Sequence, residues 1–244
     1  MAALSAMNQL SSTRSSDAAA TRHNRCLERH IGDRHERDAI DAGGLPVMSL
    51  RRLAVGGVIG PVGFIGAWLT GAATTSIDYS SVDDAISRLA AVGADSRPLM
   101  TAGFVVFGVA VPTFAAALRK HVDGPAWIAA AATGVATLAV AATPLDRSSL
   151  VDALHGVFAT AGYATLVAVP LLSLVPLKHA GHRAFAATGA VLAGVSTVSL
   201  VLSSTDLPTG LFQRLGLTSI DLWIVAVALA IATGKIEPVG RAND

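Results

Sequence analysis

Of 244 residues, 52% are hydrophobic and only 14% charged, and the mean hydropathy is +0.56. Soluble domains carry about 25% charged residues, so a water-soluble globule is all but excluded. A formal net charge of +1 gives no general attraction for nucleic acid, and the single cysteine, Cys26, permits neither an internal disulfide nor a thiolate metal site.

Residues 1–47 hold six of the 18 Lys/Arg and six of the 17 Asp/Glu. They form no apolar run that could serve as a signal-peptide core, and their acids argue against an organelle transit peptide. With no sustained apolar period, the segment cannot bury enough surface to offset chain entropy and is expected to be disordered. Met48, followed by Ser49-Leu50-Arg51-Arg52 and then directly by apolar sequence, reads as a cytoplasmic start of a membrane protein. Either translation begins near Met48, or the polar segment is a translated tail. The expected division is therefore 1–47 as a polar segment and 48–244 as a transmembrane domain.

Crossing the hydrocarbon core takes about 20 apolar residues. Six runs meet or approach this, at 53–72, 98–118, 126–142, 153–177, 184–202 and 216–234. Backbone groups in lipid must satisfy one another, and barrel-type alternation is missing, so the fold class is all-α: a polytopic six-transmembrane-helix bundle. The connections alternate in charge. Arg51, Arg52, Arg119, Lys120, Lys178, Arg183, Lys235 and Arg241 share one side, against Arg88, Arg97, Arg147 and Arg214 on the other. The positive-inside rule puts the first side, and both termini, in the cytoplasm of a cell that carries the protein as a multi-pass plasma-membrane protein. On that reading Trp68 and Trp223 belong to an outer aromatic belt and Trp127 to an inner one.

The first outer connection, 73–97, contains Ser81-Val82-Asp83-Asp84, the pattern of a helix start with acids in the first turn. Val82, Ile86 and Leu89 then fall on one face and Gly93 closes the segment, which predicts a short amphipathic helix on the membrane surface or over the bundle. In the first span Gly56, Gly60, Gly63 and Ala67 form a small-residue stripe for close packing against another helix or a second subunit; the oligomeric state is not readable. A weak internal echo pairs Thr101-Ala102-Gly103-Phe104 with Thr160-Ala161-Gly162-Tyr163 and Ala110-Val111-Pro112 with Ala168-Val169-Pro170, as tandem hairpins would.

Ionisable groups at the span edges are the informative ones, because a charge at mid-bilayer is costly. They gather on the outer side, with Ser87 among them: Asp83 and Arg88 in the first loop, Asp146 and Asp152 before His155 at the start of the fourth span, Arg214 immediately before the sixth span and Asp221 about one and a half turns into it. Three readings compete for this cluster. It is a structural network of ion pairs, a site for a lipid headgroup or small solute, or a catalytic centre in which His155 with Asp146 or Asp152 acts as a base in a lipid-acting hydrolase. The same Asp146, Asp152 and His155 are the one set with metal-ligand chemistry, and no metal or cofactor is assigned. A small transporter built on the hairpin echo is a fourth reading. It should carry polar groups at mid-membrane, where the sequence offers only Thr and Ser. Membrane lipid is the partner expected on every reading.

Several residues, in order, resemble a known family: Gly57-Val58-Ile59-Gly60-Pro61 with Phe64, Tyr79-Ser80, Ile86-Ser87-Arg88-Leu89, Gly103-Phe104, Leu118-Arg119, Pro144-Leu145-Asp146, His155-Gly156 and Gly210-Leu211-Phe212-Gln213-Arg214. Together they are similar to the prokaryotic integral membrane family catalogued as domain of unknown function 998, over about residues 54–234. The resemblance implies a bacterial six-helix membrane protein without an assigned activity, so no catalytic residue carries over. Ile77-Asp78 stands where the family has Pro-Gly before Tyr-Ser.

Overall fold

The computed structural model describes residues 47–240, and the expectations for residues 1–46 lie outside them. Seven α-helices follow in order: α1 (Val47–Ala54), α2 (Gly56–Thr74), α3 (Arg97–His121), α4 (Ala126–Ala142), α5 (Ser149–His179), α6 (Arg183–Leu202) and α7 (Thr209–Ala232). No strand occurs among the described residues. Five helices are long and apolar enough to cross a membrane, α1 and α2 counting together as Arg51–Thr74; α4 is equally apolar but shorter, with 17 residues.

Short connections make successive helices antiparallel neighbours. Each helix from α2 to α7 packs on the next, and α7 returns to pack on α2, so six helices close a ring. The outward faces carry Val62, Val135, Val157, Val191, Val198 and Leu222, all exposed. An apolar exterior around a ring that buries hydroxyls and charges suits a hydrocarbon solvent and would be costly in water. The buried hydroxyls of Thr133 and Ser173 donate to the carbonyls of Ala129 and Val169, one turn back on their own helices. These polar side chains therefore cost the interior little.

The small-residue stripe of α2 faces α3 of the same chain. A Cβ on Gly56 would collide with the Ala110 carbonyl and the Thr113 hydroxyl, and one on Gly63 would lie 2.7 Å from Val106 Cγ1. Close backbone approach of this kind supplies packing energy where lipid removes the hydrophobic drive between helices. Gly56→Ala is expected to destabilise by about 3 kcal/mol, because one of the two obstructing atoms, the Ala110 carbonyl oxygen, is backbone and cannot rotate away. Thermal unfolding in detergent measures this.

Pro112 and Pro170 lie within helices that run on without interruption. Each faces a glycine of the following helix. A Cβ on Gly134 would lie 2.5 Å from Pro112 Cδ, and one on Gly189 would lie 3.2 Å from Pro170 Cβ.

Two expectations are corrected. The amphipathic helix of the first long loop is one five-residue 3-10 turn, Ile86–Ala90, preceded by a tight turn. Ser80, not Ser81, caps that turn: its hydroxyl accepts from the Asp83 N–H at 3.1 Å while its own N–H donates to Asp84 Oδ2 at 2.8 Å. Ile86 and Leu89 point inward and Val82 outward, so the loop plugs the end of the ring as a lid. Trp223, expected in an aromatic belt, is buried within the ring. Its indole N–H donates to the carbonyl of Phe185, in the first turn of α6 at the end opposite the lid, at 3.0 Å.

Candidate functional site

The lid is tied down chiefly by α7. Gln213 Oε1 accepts from the Ile86 N–H at 2.7 Å, and the Leu211 N–H donates to the Val82 carbonyl at 2.8 Å. Arg214 Nη1 donates to the carbonyls of Asp84 and Gly210 at 3.1 and 2.8 Å, and Nη2 donates to the Tyr79 hydroxyl. The guanidinium also lies 5.1 Å from the Trp68 ring centroid and 5.7 Å from that of Tyr79. Burial pushes the Tyr79 phenol above its ordinary pKa, with Arg214 opposing the shift. Gly210 makes this approach feasible. A Cβ there would meet the Asp84 carbonyl and lie 2.6 Å from Arg214 Nη1 and 2.7 Å from the Ser81 carbonyl.

Further ties hold the lid edges, among them the Val92 N–H, which donates to the Leu145 carbonyl at 2.9 Å. Arg88 pairs with Asp146 at 3.1 Å, both side chains about half exposed. Asp146 adopts φ 63°, a left-handed conformation that aspartate tolerates, and its N–H donates to Asp152 Oδ1 at 3.0 Å. At the base of the lid, Asp95 accepts from the Thr75 hydroxyl at 2.6 Å and from the Ser76 and Ser96 N–H groups at 2.9 Å each. These donors lower its pKa from 3.8 to about 2. Because the folded value lies below the unfolded one, the stabilisation is complete above about pH 4 and is lost as pH falls toward about 2. Asp95→Asn is expected to flatten the stability profile between those limits in an acid titration of unfolding.

Beneath the lid lies a cavity with about 60 Å³ open to water centres, room for roughly four to six waters at ~10–15 Å³ each. Phe64 of α2, Phe104 and Phe107 of α3 and Phe158 of α5 supply aromatic walls, and α6 contributes nothing to the lining. Polar groups enter at defined points. Tyr163 and Gln213 stand at the upper side, the Gln213 amide donating to the Tyr163 hydroxyl. Thr133 and Thr137 project from α4, and Ser87 from the lid. Asp221 lies deeper, 1% exposed, and neither carboxylate oxygen has a hydrogen-bond partner. Gln213, Leu217 and Asp221 follow at i, i+4 and i+8, so one stripe of α7 carries both the lid contact and the buried carboxylate.

The expected outer cluster is thus dispersed. Arg88, Asp146 and Asp152 form the exposed tie, and Asp83 is exposed on the lid, where its carboxylate accepts from the Ser80 hydroxyl at 2.7 Å. Arg214 is the buried lid anchor, while Ser87 and Asp221 line the cavity. His155 is buried, and its Nδ1 lies 2.6 Å from the Thr143 carbonyl. A carbonyl only accepts, so that nitrogen bears the proton. The pairing of His155 with Asp146 or Asp152 is not formed. Asp152 is engaged by the Asp146 N–H, and no histidine–carboxylate ion pair occurs among the described residues. Nor do any three His, Cys, Asp or Glu gather in a metal-holding group among them.

Asp221 also requires a correction. With α7 beginning at Thr209 rather than near residue 216, Asp221 is residue 13 of 24. That is about 18 Å along the helix axis, far below the edge where the sequence placed it. Tyr79, Tyr163 and Gln213 stood out in the sequence only within the family resemblance and the internal echo, not as candidate site residues. A usable signal existed: the chain has only two tyrosines, and both hydroxyls accept from residues of the Gln213-Arg214 pair.

Compared with known proteins, residues 58–230 match the family model described as Protein of unknown function (DUF998). No curated protein and no solved structure matches the chain.

Proposed function

The chain belongs to the DUF998 family, and we propose that it is a membrane protein that binds a small solute bearing a cationic or hydrogen-bond-donating group, in the cavity under the lid. The observation that carries this reading is the Asp221 carboxylate, buried in the cavity wall with both oxygens unpartnered. An unpaired buried carboxylate costs several kcal/mol, and proteins retain such groups in membrane interiors chiefly for function. The Phe64, Phe104, Phe107 and Phe158 rings add faces that attract cations. On this reading all six ring helices cross the plasma membrane, α4 with its flanking residues, and the lid faces outward with both termini in the cytoplasm. The lysines and arginines concentrated at the opposite end support that orientation.

The probe is n-butylamine, with n-butanol as its uncharged counterpart. Butylamine is expected to raise the melting temperature of the full chain in detergent and to leave Asp221→Asn unchanged, and butanol to do neither. Equal shifts by both compounds, or an undiminished butylamine shift in Asp221→Asn, overturn the reading.

Transport is the second reading, because the depth of Asp221 supplies the mid-membrane polar group that a transporter needs. Exchange of labelled butylamine across proteoliposomes separates carriage from binding alone. The hydrolase reading has no comparable support, since His155 is engaged by a backbone carbonyl and not by a carboxylate.

A further inference from the structure

A groove of about 500 Å³ runs along the outer surface between α5 and α6, under the start of α7. It shares Ala159, Tyr163 and Gln213 with the cavity, so the two spaces meet at the Tyr163–Gln213 hydrogen bond. The groove lies among exposed apolar side chains such as Val157, Val198 and Val201, on the faces that lipid would cover.

Its lining looks polar by composition but is apolar in effect. The hydroxyls of Thr160, Thr197 and Ser204 each donate to a carbonyl of their own helix, Gly156, Ala193 and Val201, at 2.8, 2.8 and 2.7 Å. What then faces the groove is mainly methyl, methylene and glycine surface, suited to a hydrocarbon chain, with Thr209 and the Tyr163–Gln213 pair as polar features at its α7 end. At Gly156 a Cβ would meet no atom within 4 Å, so the channel floor is open.

Resting on the cavity reading, we propose that the ligand is a membrane-resident amphiphile, a single hydrocarbon chain carrying an amine. It reaches the site sideways from the bilayer. Its chain lies in the α5–α6 groove, and its headgroup passes between Tyr163 and Gln213 to face Asp221. Adjacency of a lipid-facing, mainly apolar groove and a cavity holding an unpartnered buried carboxyl group, separated only by the Tyr163–Gln213 pair, carries this assignment. Either space alone does not call for an amphiphile.

The probe is dodecylamine bearing a diazirine at the chain terminus, added to the full chain in lipid nanodiscs. Photolysis is expected to label 156–164 and 197–204, and excess unlabelled dodecylamine to suppress that labelling. Gly156→Leu is expected to lower dodecylamine affinity more than tenfold relative to butylamine, and Thr197→Phe, from the opposite wall, to repeat the effect. Label outside α5 and α6, label in the groove unaltered in Asp221→Asn, or an unchanged dodecylamine-to-butylamine ratio in both groove variants overturns the proposal. Where butylamine still binds through Asp221, the cavity reading survives that failure; where neither amine binds through Asp221, both fall.

Discussion

Arg214→Ala is expected to cost about 3–5 kcal/mol and to release the lid from the ring. Hydrogen bonds from a charged donor contribute about 1.5–3 kcal/mol each, and contact with an aromatic face about 1 more. Arg214 makes such bonds to Asp84, Gly210 and Tyr79, and stacks near Trp68. Truncation also leaves the Asp84 carbonyl without its guanidinium partner. Arg214→Lys is expected to recover only a minor part, because a point charge cannot span two carbonyls and a phenol as a planar fork does. Thermal unfolding in detergent gives the stability loss. Hydrogen exchange over 79–90 reports the lid, with faster exchange there than in α3 or α4 as the expected signature. A variant that loses stability without faster lid exchange would place the role of Arg214 elsewhere.

The second large effect has the opposite sign. Asp221→Leu is expected to raise stability by about 1–3 kcal/mol while removing the butylamine response. Exchanging a buried carboxyl group that has no partner for an apolar side chain of similar volume removes a desolvation cost and puts nothing unsatisfied in its place. Binding sites carry such costs where activity requires them. A residue whose role is structural behaves otherwise, since its replacement loses contacts. Asp221 has no hydrogen-bonding contacts to lose. Asp221→Asn separates ionisation from shape: it keeps the volume and removes the group that can ionise against a bound cation, and it is expected to lose binding with less gain in stability. Lower stability in both variants would argue for a structural role.

Much of the architecture was legible in the sequence, because lipid imposes a simple rule of length and apolarity. The run at 126–142 coincides with α4, and the stripe from Gly56 to Ala67 is a helix contact as its spacing implied. Failures cluster where polar residues are buried. Gln213 and Arg214 looked like the loop before the last span, since such side chains rarely enter an apolar helix. They are helical and inside because the lid supplies their partners, which lie about 130 residues earlier in the chain. Truncating α7 by two turns then left Asp221 at the membrane edge. For the lid itself, acids after Ser81 matched a helix start, yet Asp84 spends its side chain on the Ser80 N–H and its carbonyl on Arg214, which ends the segment in a turn. Local pattern had no access to those distant partners.

Two of the lid's moorings respond differently to dissolved salt. Arg88 and Asp146 meet in the open, where an ion atmosphere with a screening length of about 8 Å at physiological strength weakens their attraction. Arg214 is enclosed among Trp68, Tyr79 and carbonyl oxygens, beyond the reach of counterions. Rising ionic strength therefore weakens the side-chain tie above the α4–α5 connection, leaving the Val92 N–H bond to the Leu145 carbonyl to hold that margin, while the α7 margin stays fast.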